Sequence, residues 1–536
     1  MFMKRKRRAF AAIPAAAAGL LLVLAGCVAA PSDQTASTPE SPGTLVVGMT
    51  TVDIPNLDTG LSLNQGAEGM RFVGLSLYDG LTKWDLSDGG SLPTVVPGLA
   101  ESWEANDDAT EWTFFLREGV SFTDGTPWNA EAAAFNINRY VDEESPQYFP
   151  ELNATAGIYV GGMVRAEVVD DMTIKILARG PQAALPESLA TIPMGSPSAI
   201  EELGNEGFAA APVGTGPFVF ERMSRGQELV LTANEGHWNG APEVETLILR
   251  PLPDATSRVA ALRSGEVDWI ESPTPDDVVA LSGAGFQAYT NTYDHAWVWM
   301  FDTTKGPLAD PLVRQAANYA IDRESLAETI LQGTAEPLRQ LAPKGNFSYR
   351  DSNDVYGYDP EKAQELLAEA GYPEGFSMAL SYPTAGSGNM QPQAMNEALQ
   401  RDLAAVGIEV ELEPVEWATM ISSHHAGKIP GDADAINFAV SFDPPTFWRI
   451  FLGPGSPINL AKYDNSEVVS LVDQAELTLD QDGRGDIYAS VAELVTADAP
   501  WLFVVSDLNS RVVAPHVKGF VQPQSWFVDL TTVSVE

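Results

Sequence analysis

The spacing of hydrophobic and polar positions changes period several times along the chain, and each change predicts an element. Residues 112–117 alternate, so that Trp112, Phe114 and Leu116 share one face of a strand while Thr113, Phe115 and Arg117 share the other. The polar triplet Asn106-Asp107-Asp108 ahead of it predicts a turn, and Thr123-Asp124-Gly125-Thr126-Pro127, after Val120 and Phe122, predicts a second. Asn129 then stands at the N-cap position of a helix whose Ala134, Ile137 and Val141 fall on one face. A hairpin is predicted over 164–178 with its turn at Asp170-Asp171, and another turns at Ser224-Arg225-Gly226. Leu45 to Met49 reads as a buried first strand and Thr246 to Arg250 as a later one.

Further along, the punctuation becomes helical. Asp254 opens a helix that Gly265 ends, and Asp310-Pro311, Asp322 and Asp359-Pro360 open three more, of which Gly333 and Gly371 close two. Ala398, Leu399, Leu403 and Val406 line a helix that stops at Gly407; Ile408, Val410 and Leu412 then alternate with Glu409, Glu411 and Glu413 as a half-exposed strand. The apolar runs at 294–301 and 501–505 have the length of buried strands. Strands alternating with helices predict an α/β fold. Gly214-Thr215-Gly216 is no phosphate loop, because Pro217 follows at once and Phe218-Val219-Phe220 reads as a strand where a helix is needed.

The amino terminus has a different character. Lys4 to Arg8 is a basic cluster, residues 9–25 are apolar, and Gly26-Cys27 follows, the pattern of an export signal over 1–26. Leu24-Ala25-Gly26-Cys27 is similar to the bacterial lipobox, which implies cleavage before Cys27 and lipid on its thiol; the alternatives are an ordinary secretory signal or a single anchor helix. Residues 28–43 are small, polar and Pro-rich, and read as a flexible tether behind the lipidated Cys27. The chain carries 73 acidic against 31 basic residues, a net charge of -42, which repels phosphate backbones and argues against a nucleic-acid partner. The acidic residues are dispersed, as on a general solvated surface. Cys27 is the single cysteine, so no disulfide is available.

The segments "LAESWE…WTFFLREGVSFTDGTPWNAE", "PVGTGPFVF…GEVDWI", "PLVRQAANYAIDRESLAETIL" and "YDPEKAQELLAEAGYPEGF" resemble the peptide/nickel-type solute-binding receptors of ABC importers, and the likeness covers nearly the whole chain after the tether. The resemblance implies an α/β, two-lobed periplasmic-binding-protein-like fold, with an additional inserted subdomain in the first lobe and the lobes joined by two crossing strands. It implies a first lobe of 44–292 and 507–536, an insert at about 70–212, and a second lobe of 293–506. It also implies hinge closure around a peptide or similarly sized polar solute, ABC transporter permease subunits as partners, a monomer, and an extracytoplasmic place on the cell membrane through lipid on Cys27. Nickel chelates, glutathione-like thiols and oligosaccharides remain open as ligands, and a solute sensor or a hydrolase on the same fold remains open as function.

No His-Glu-x-x-His or Gly-x-Ser-x-Gly pattern is present, and neither a cofactor nor a metal is expected. His424 and His425 are adjacent, so on a helix they diverge by about 100° and read as a solvated helix end. By resemblance, the loop after the first strand, with Thr51, Asp53 and the Pro55-x-Leu57-Asp58 pattern, borders the cleft. Trp297, Trp299, Trp417, Phe442, Phe447 and Trp526 are candidate ligand-facing aromatics, the alternative for each being core. Peptide-binding relatives hold the ligand's ammonium with an aspartate where this chain has Val440 or Ser441. Asp443 is the candidate substitute; followed by Pro444-Pro445 and Phe447-Trp448, it reads first as a helix N-cap.

Overall fold

The structure, a computed structural model, describes residues 43–536 except Gly161 and Ser387. Cys27 and the signal and tether expected before residue 43 lie outside the described residues. Two sheets carry the molecule. The first has seven strands in the order Gln287–Tyr289, Arg511–Val513, Trp269–Glu271, Thr44–Met49, Thr246–Pro251, Glu228–Ala233, Phe218–Ser224. Its centre is parallel, with Val47 opposite both Leu249 and Trp269, and so apolar on both faces. The second has six strands in the order Ala335–Pro337, Trp501–Asp507, Ala296–Phe301, Ala435–Val440, Phe376–Pro383, Ile408–Val415.

Each sheet organises one lobe of an α/β, two-lobed fold. The chain leaves the first sheet after Tyr289 and enters the second at Ala296; it leaves the second after Asp507 and re-enters the first at Arg511. The carboxy-terminal segment stays with the first lobe, where Phe520 packs edge-on against Trp269 at 4.4 Å and Val517–Lys518 pairs with Ser534–Val535. The insert in the first lobe is a four-stranded antiparallel sheet, in the order Ala100–Ala105, Glu111–Leu116, Thr173–Ala178, Met163–Asp170, covered by the helix Ala130–Val141. Trp112, Phe114 and Leu116 point inward as the alternation predicts, while Phe115 is 40% exposed.

Local chemistry sets the element ends. Asn129, Asp254, Asp310, Asp322 and Asp359 each accept a hydrogen bond from a backbone N–H of the following turn, at 2.8–2.9 Å. Gly265 closes its helix in the left-handed region at φ 75°. Gly214 and Gly216 serve close packing: a Cβ on either would fall 2.0 Å and 2.5 Å from the Leu77 backbone. Asp58, from the Pro-x-Leu-Asp pattern, is fully buried and forms a two-pronged pair with Arg139 of the insert's helix, at 2.7 and 2.5 Å, away from solvent.

That pair ties the insert to the loop after the first strand, and removing one member leaves a dry, uncompensated charge. Asp58→Ala is expected to lose about 3–5 kcal/mol of unfolding free energy. Lys175→Ala, which removes an ion pair half open to solvent, is expected to lose about 0–1 kcal/mol. Urea denaturation of both variants checks the contrast, and equal losses would contradict it.

Candidate functional site

Of the cavities among the described residues that draw on both lobes, two lie beside the crossings. The larger, about 870 Å³, is walled on the first-lobe side by Thr51, Val52, Asn64 and Pro273–Pro275 and on the second by Thr384–Gly386, Gly388, Trp417 and Ile421. The smaller, about 420 Å³, is walled by Trp84, Glu187 and Trp526 on one side and by Asn346, Phe347, Asp443 and Arg484 on the other, with Asp294 of the crossing segment. Gly388 separates them. A Cβ placed on it would meet both Trp526 and His295 at 2.9 Å, and at φ 76° only glycine adopts its backbone freely.

The loop bearing Thr51 is held by its neighbour: the Thr50 N–H and hydroxyl both donate to Glu68, at 2.7 and 2.5 Å. Burial, aided by the charge of Glu271, pushes the Glu68 carboxyl up. Thr51 is 6% exposed, its hydroxyl has no partner among the described residues, and it borders the larger cavity. Trp417 opens the helix Trp417–His425, which Glu416 caps, and its indole stacks on Phe438 with centroids 5.9 Å apart. Gly386, at φ 112°, lets the backbone lie flat against that indole, since a Cβ there would overlap it at 2.3 Å.

The other sequence candidates divide. Trp526 borders the smaller cavity and donates through Nε1 to the Asp294 carbonyl at 3.0 Å. Asp443 borders the same cavity and is no helix cap: the helix runs Phe447–Leu452, its N-cap position is Thr446, and three residues separate Asp443 from the first turn. Asp53 lines neither cavity, because its carboxylate accepts from the Gly226 N–H at 2.5 Å and stands 3.7 Å from Arg225, bracing the hairpin turn of the first lobe. Trp297 and Trp299 are fully buried and belong to the core on one face of the second sheet; Trp299 Nε1 donates to Asn396 at 2.8 Å. Phe442 is likewise core, stacked on Trp448 at 4.3 Å, and Phe447 packs edge-on against Tyr159 of the insert at 5.1 Å. His424 is buried rather than solvated: it stacks on Phe438 at 4.3 Å, and burial pushes its imidazole down to about 3. His425 borders the larger cavity.

Sequence reasoning missed Asp294 and His295. Asp294 Oδ2 accepts from the Ser441 hydroxyl at 2.9 Å and from the Phe442 N–H at 2.5 Å, while Oδ1 has no partner among the described residues. Burial lifts its carboxyl to about 6 against the pull of those donors. His295 Nδ1 accepts from the Asp507 N–H at 3.2 Å, which leaves the proton on Nε2 to be donated to the Gly388 carbonyl at 3.0 Å. Burial lowers the pKa of His295 and keeps the ring neutral. Both lie at the polar start of an apolar run, and that placement was the available signal.

The lobes also touch directly. Arg484 pairs with Glu187 of the insert, the Ala183 N–H donates to the Glu476 carbonyl at 2.9 Å, and Gln332 donates to Asp276. Among the described residues no group of three or more His, Cys, Asp or Glu is placed to hold a metal.

Comparison with known proteins identifies the scaffold. Residues 94–457 match the family described as bacterial extracellular solute-binding proteins, family 5. The chain is 30% identical over 472 residues to heme-binding protein A of Haemophilus influenzae, covering 82% of this chain and 84% of that one. It is 27% identical over 458 residues to the dipeptide-binding protein of Escherichia coli, covering 80% and 84%. Among solved structures it resembles a periplasmic binding protein of Helicobacter pylori in complex with the peptide STSA, with TM-score 0.77, 24% identity and coverage of 92% and 98%. It also resembles a dipeptide-binding protein of a Pseudoalteromonas species in complex with Met-Leu, with TM-score 0.78, 22% identity and coverage of 92% and 100%. These relatives are binding proteins, not enzymes. With two lobes joined by two crossings, cavities between them and a match over most of its length, the chain belongs to the family 5 extracellular solute-binding proteins, which deliver peptides or related ligands to ABC importers.

Proposed function

We propose that this chain is a membrane-anchored receptor that takes up a peptide or similarly sized polar compound by closing its lobes, and presents it to the permease of an ABC importer. The observation that carries the reading is the cavity of about 870 Å³ walled from both sides of two short crossings, the arrangement in which hinge bending encloses a ligand. Its wall is rich in Thr, Ser, Gly and Pro, with Trp417 as the one indole, which suits an extended polar chain with apolar side groups. In this reading 44–292 with 507–536 form the first lobe and 293–506 the second, Thr51 and Trp417 touch the solute, and Asp53, Trp297, Trp299 and Phe442 support the scaffold.

Mass spectrometry of solute released from gently purified protein tests the reading directly. A solute that binds only the folded state at a hundredfold excess over its Kd adds about 2.7 kcal/mol of stability, read as a raised melting temperature. Trp417→Ala is expected to weaken binding about tenfold, or about 1.4 kcal/mol, by calorimetry, with the melting temperature of the empty protein nearly unchanged. Recovery of a chemically altered solute with turnover would contradict the receptor role.

The anchor has its own test. Attachment is assigned to lipid on Cys27 from the Leu24-Ala25-Gly26-Cys27 pattern, where at least two acyl chains would give stable anchoring. Cys27→Ser is expected to move the protein to the soluble fraction of a fractionated cell, and undiminished membrane retention counts against it.

A further inference from the structure

Outside the crossings, the lobes are joined by an ion pair that lies inside the molecule. Glu187 stands on the short helix Leu185–Leu189 of the insert. Arg484 stands near the start of the second-lobe helix Gln481–Asp498, which Asp480 caps by accepting from the Gly483 N–H at 2.7 Å. Their side chains are 10% and 3% exposed. Arg484 also donates to the carbonyls of Ala183 in the insert and Thr478 in its own lobe, each at 3.2 Å, while its Nε has no partner among the described residues. Both ends are braced. On the insert's side the Thr82 hydroxyl donates to the Pro186 carbonyl at 2.6 Å, and Trp112 Nε1 to the Gln182 carbonyl at 3.1 Å. On the other, Arg449 binds the Glu476 carboxylate at 2.5 and 2.8 Å, and the Glu476 carbonyl accepts from the Ala183 N–H. The buried pairs of Asp58 with Arg139, and of Glu271 with Arg71 and Arg511, stay within the first lobe, whereas Glu187 and Arg484 pair across two lobes.

We infer, granting the receptor reading above, that Glu187 and Arg484 form a clasp that sets how long the closed lobes retain a solute, whichever solute it is. Side chains carried by different lobes separate when a hinge opens, so the pair belongs to the closed form alone. With the lobes apart both charges are hydrated; with the lobes together each is dry and depends on the other. Closing therefore exchanges two hydration shells for one ion pair and the bonds to two carbonyls, opposing terms of similar size. Burial raises the Glu187 carboxyl even against the pull of Arg484, as expected of a pair near that balance. The consequence has a direction. An intact pair adds little to the closing of an empty receptor, but a lone Glu187 or a lone Arg484 is an uncompensated dry charge that opposes closure. No feature of the solute enters this condition, so its effect falls on retention and not on choice. The contact of Gln332 with Asp276 also joins the lobes, yet both residues are exposed and water replaces that bond at little cost.

Stopped-flow release from the full chain in detergent tests the inference, with Met-Leu, trialanine and glutathione as probes. Glu187→Gln and Arg484→Met are each expected to speed release and raise Kd at least about tenfold, or about 1.4 kcal/mol. The factor is expected to be the same for every probe that binds, with association rates unchanged. The double variant Glu187→Leu/Arg484→Met is expected to release at the wild-type rate or more slowly, because apolar side chains of similar volume replace a buried ion pair without net loss. Gln332→Ala is the exposed control and is expected to stay within about twofold of the wild type. Spin labels, one on each lobe, read closure without a solute. By double electron–electron resonance the double variant is expected to hold a larger share of the short interlobe distance than the wild type. Unchanged release in both single variants, a factor that differs between probes, or a double variant as fast as the singles overturns the inference and keeps the receptor. Failure of either single variant to fold overturns it as well, since lobes that fold with the clasp open do not need it to fold. Should no probe bind the wild type, the label distances decide. An equal share of the short distance in the wild type and the double variant overturns the clasp; one fixed distance in every variant, with no solute released on purification, overturns the receptor with it.

Discussion

The structure depends on how its two crossings are fastened to one another. Asp507, at the end of the returning strand, accepts from the Tyr293 hydroxyl at 2.9 Å and from the Asn509 N–H at 3.0 Å, and its own N–H donates to His295. The outgoing and returning segments are thereby bound side by side. His295, fixed in one tautomer by that donor, reaches the Gly388 carbonyl in the second lobe, and Trp526 of the tail closes over both rings, edge-on to Tyr293 at 4.9 Å. Every partner here is buried or half-buried and neutral apart from Asp507. A junction of directional hydrogen bonds, with Asp507 as its one charged member, gives the lobes a defined meeting line without a buried ion pair. The cavities lie on either side of that line.

Charge is handled by one rule elsewhere in the interior. Glu271, 1% exposed, is shared by Arg71 and Arg511 and also accepts from Trp269 Nε1 at 2.7 Å; burial opposes its ionisation, yet Arg511 and Arg71 hold its carboxyl below the usual range. Arg139 answers Asp58, and Arg258 spends its guanidinium on the carbonyls of Leu252, Pro253, Glu271 and Ser272. The net charge of -42 therefore says little about the site, since it is mostly carried outside. Glu68 departs from that rule: 1% exposed, its carboxylate is met by the Thr50 N–H and hydroxyl rather than by a cation in direct contact.

The elements were legible where their signals are local. Asn129, Asp254, Asp310, Asp322 and Asp359 are caps within a few residues of the groups they bond, and the alternation at 112–117 needs only its own strand. Site residues were harder because their roles are set across the chain. Asp443 satisfies the local pattern of a cap, yet the helix starts four residues on. Trp297 and Trp299 sit on a strand adjoining the junction, and only the packing of a core on each face of the second sheet decides that they are interior. Asp294 takes its partners from 147 and 148 residues away, a separation no window of sequence reveals.

The two cavities differ in the groups they present. The larger presents hydroxyls, prolines, glycine-lined backbone and one indole, and the charged groups on its wall, Arg258, Glu416 and Asp507, already hold partners within the fold. The smaller presents the carboxylates of Asp294 and Asp443 among aromatic rings and two guanidiniums. The same scaffold is shared with relatives named for heme, dipeptides and glutathione, so the fold alone does not name the guest.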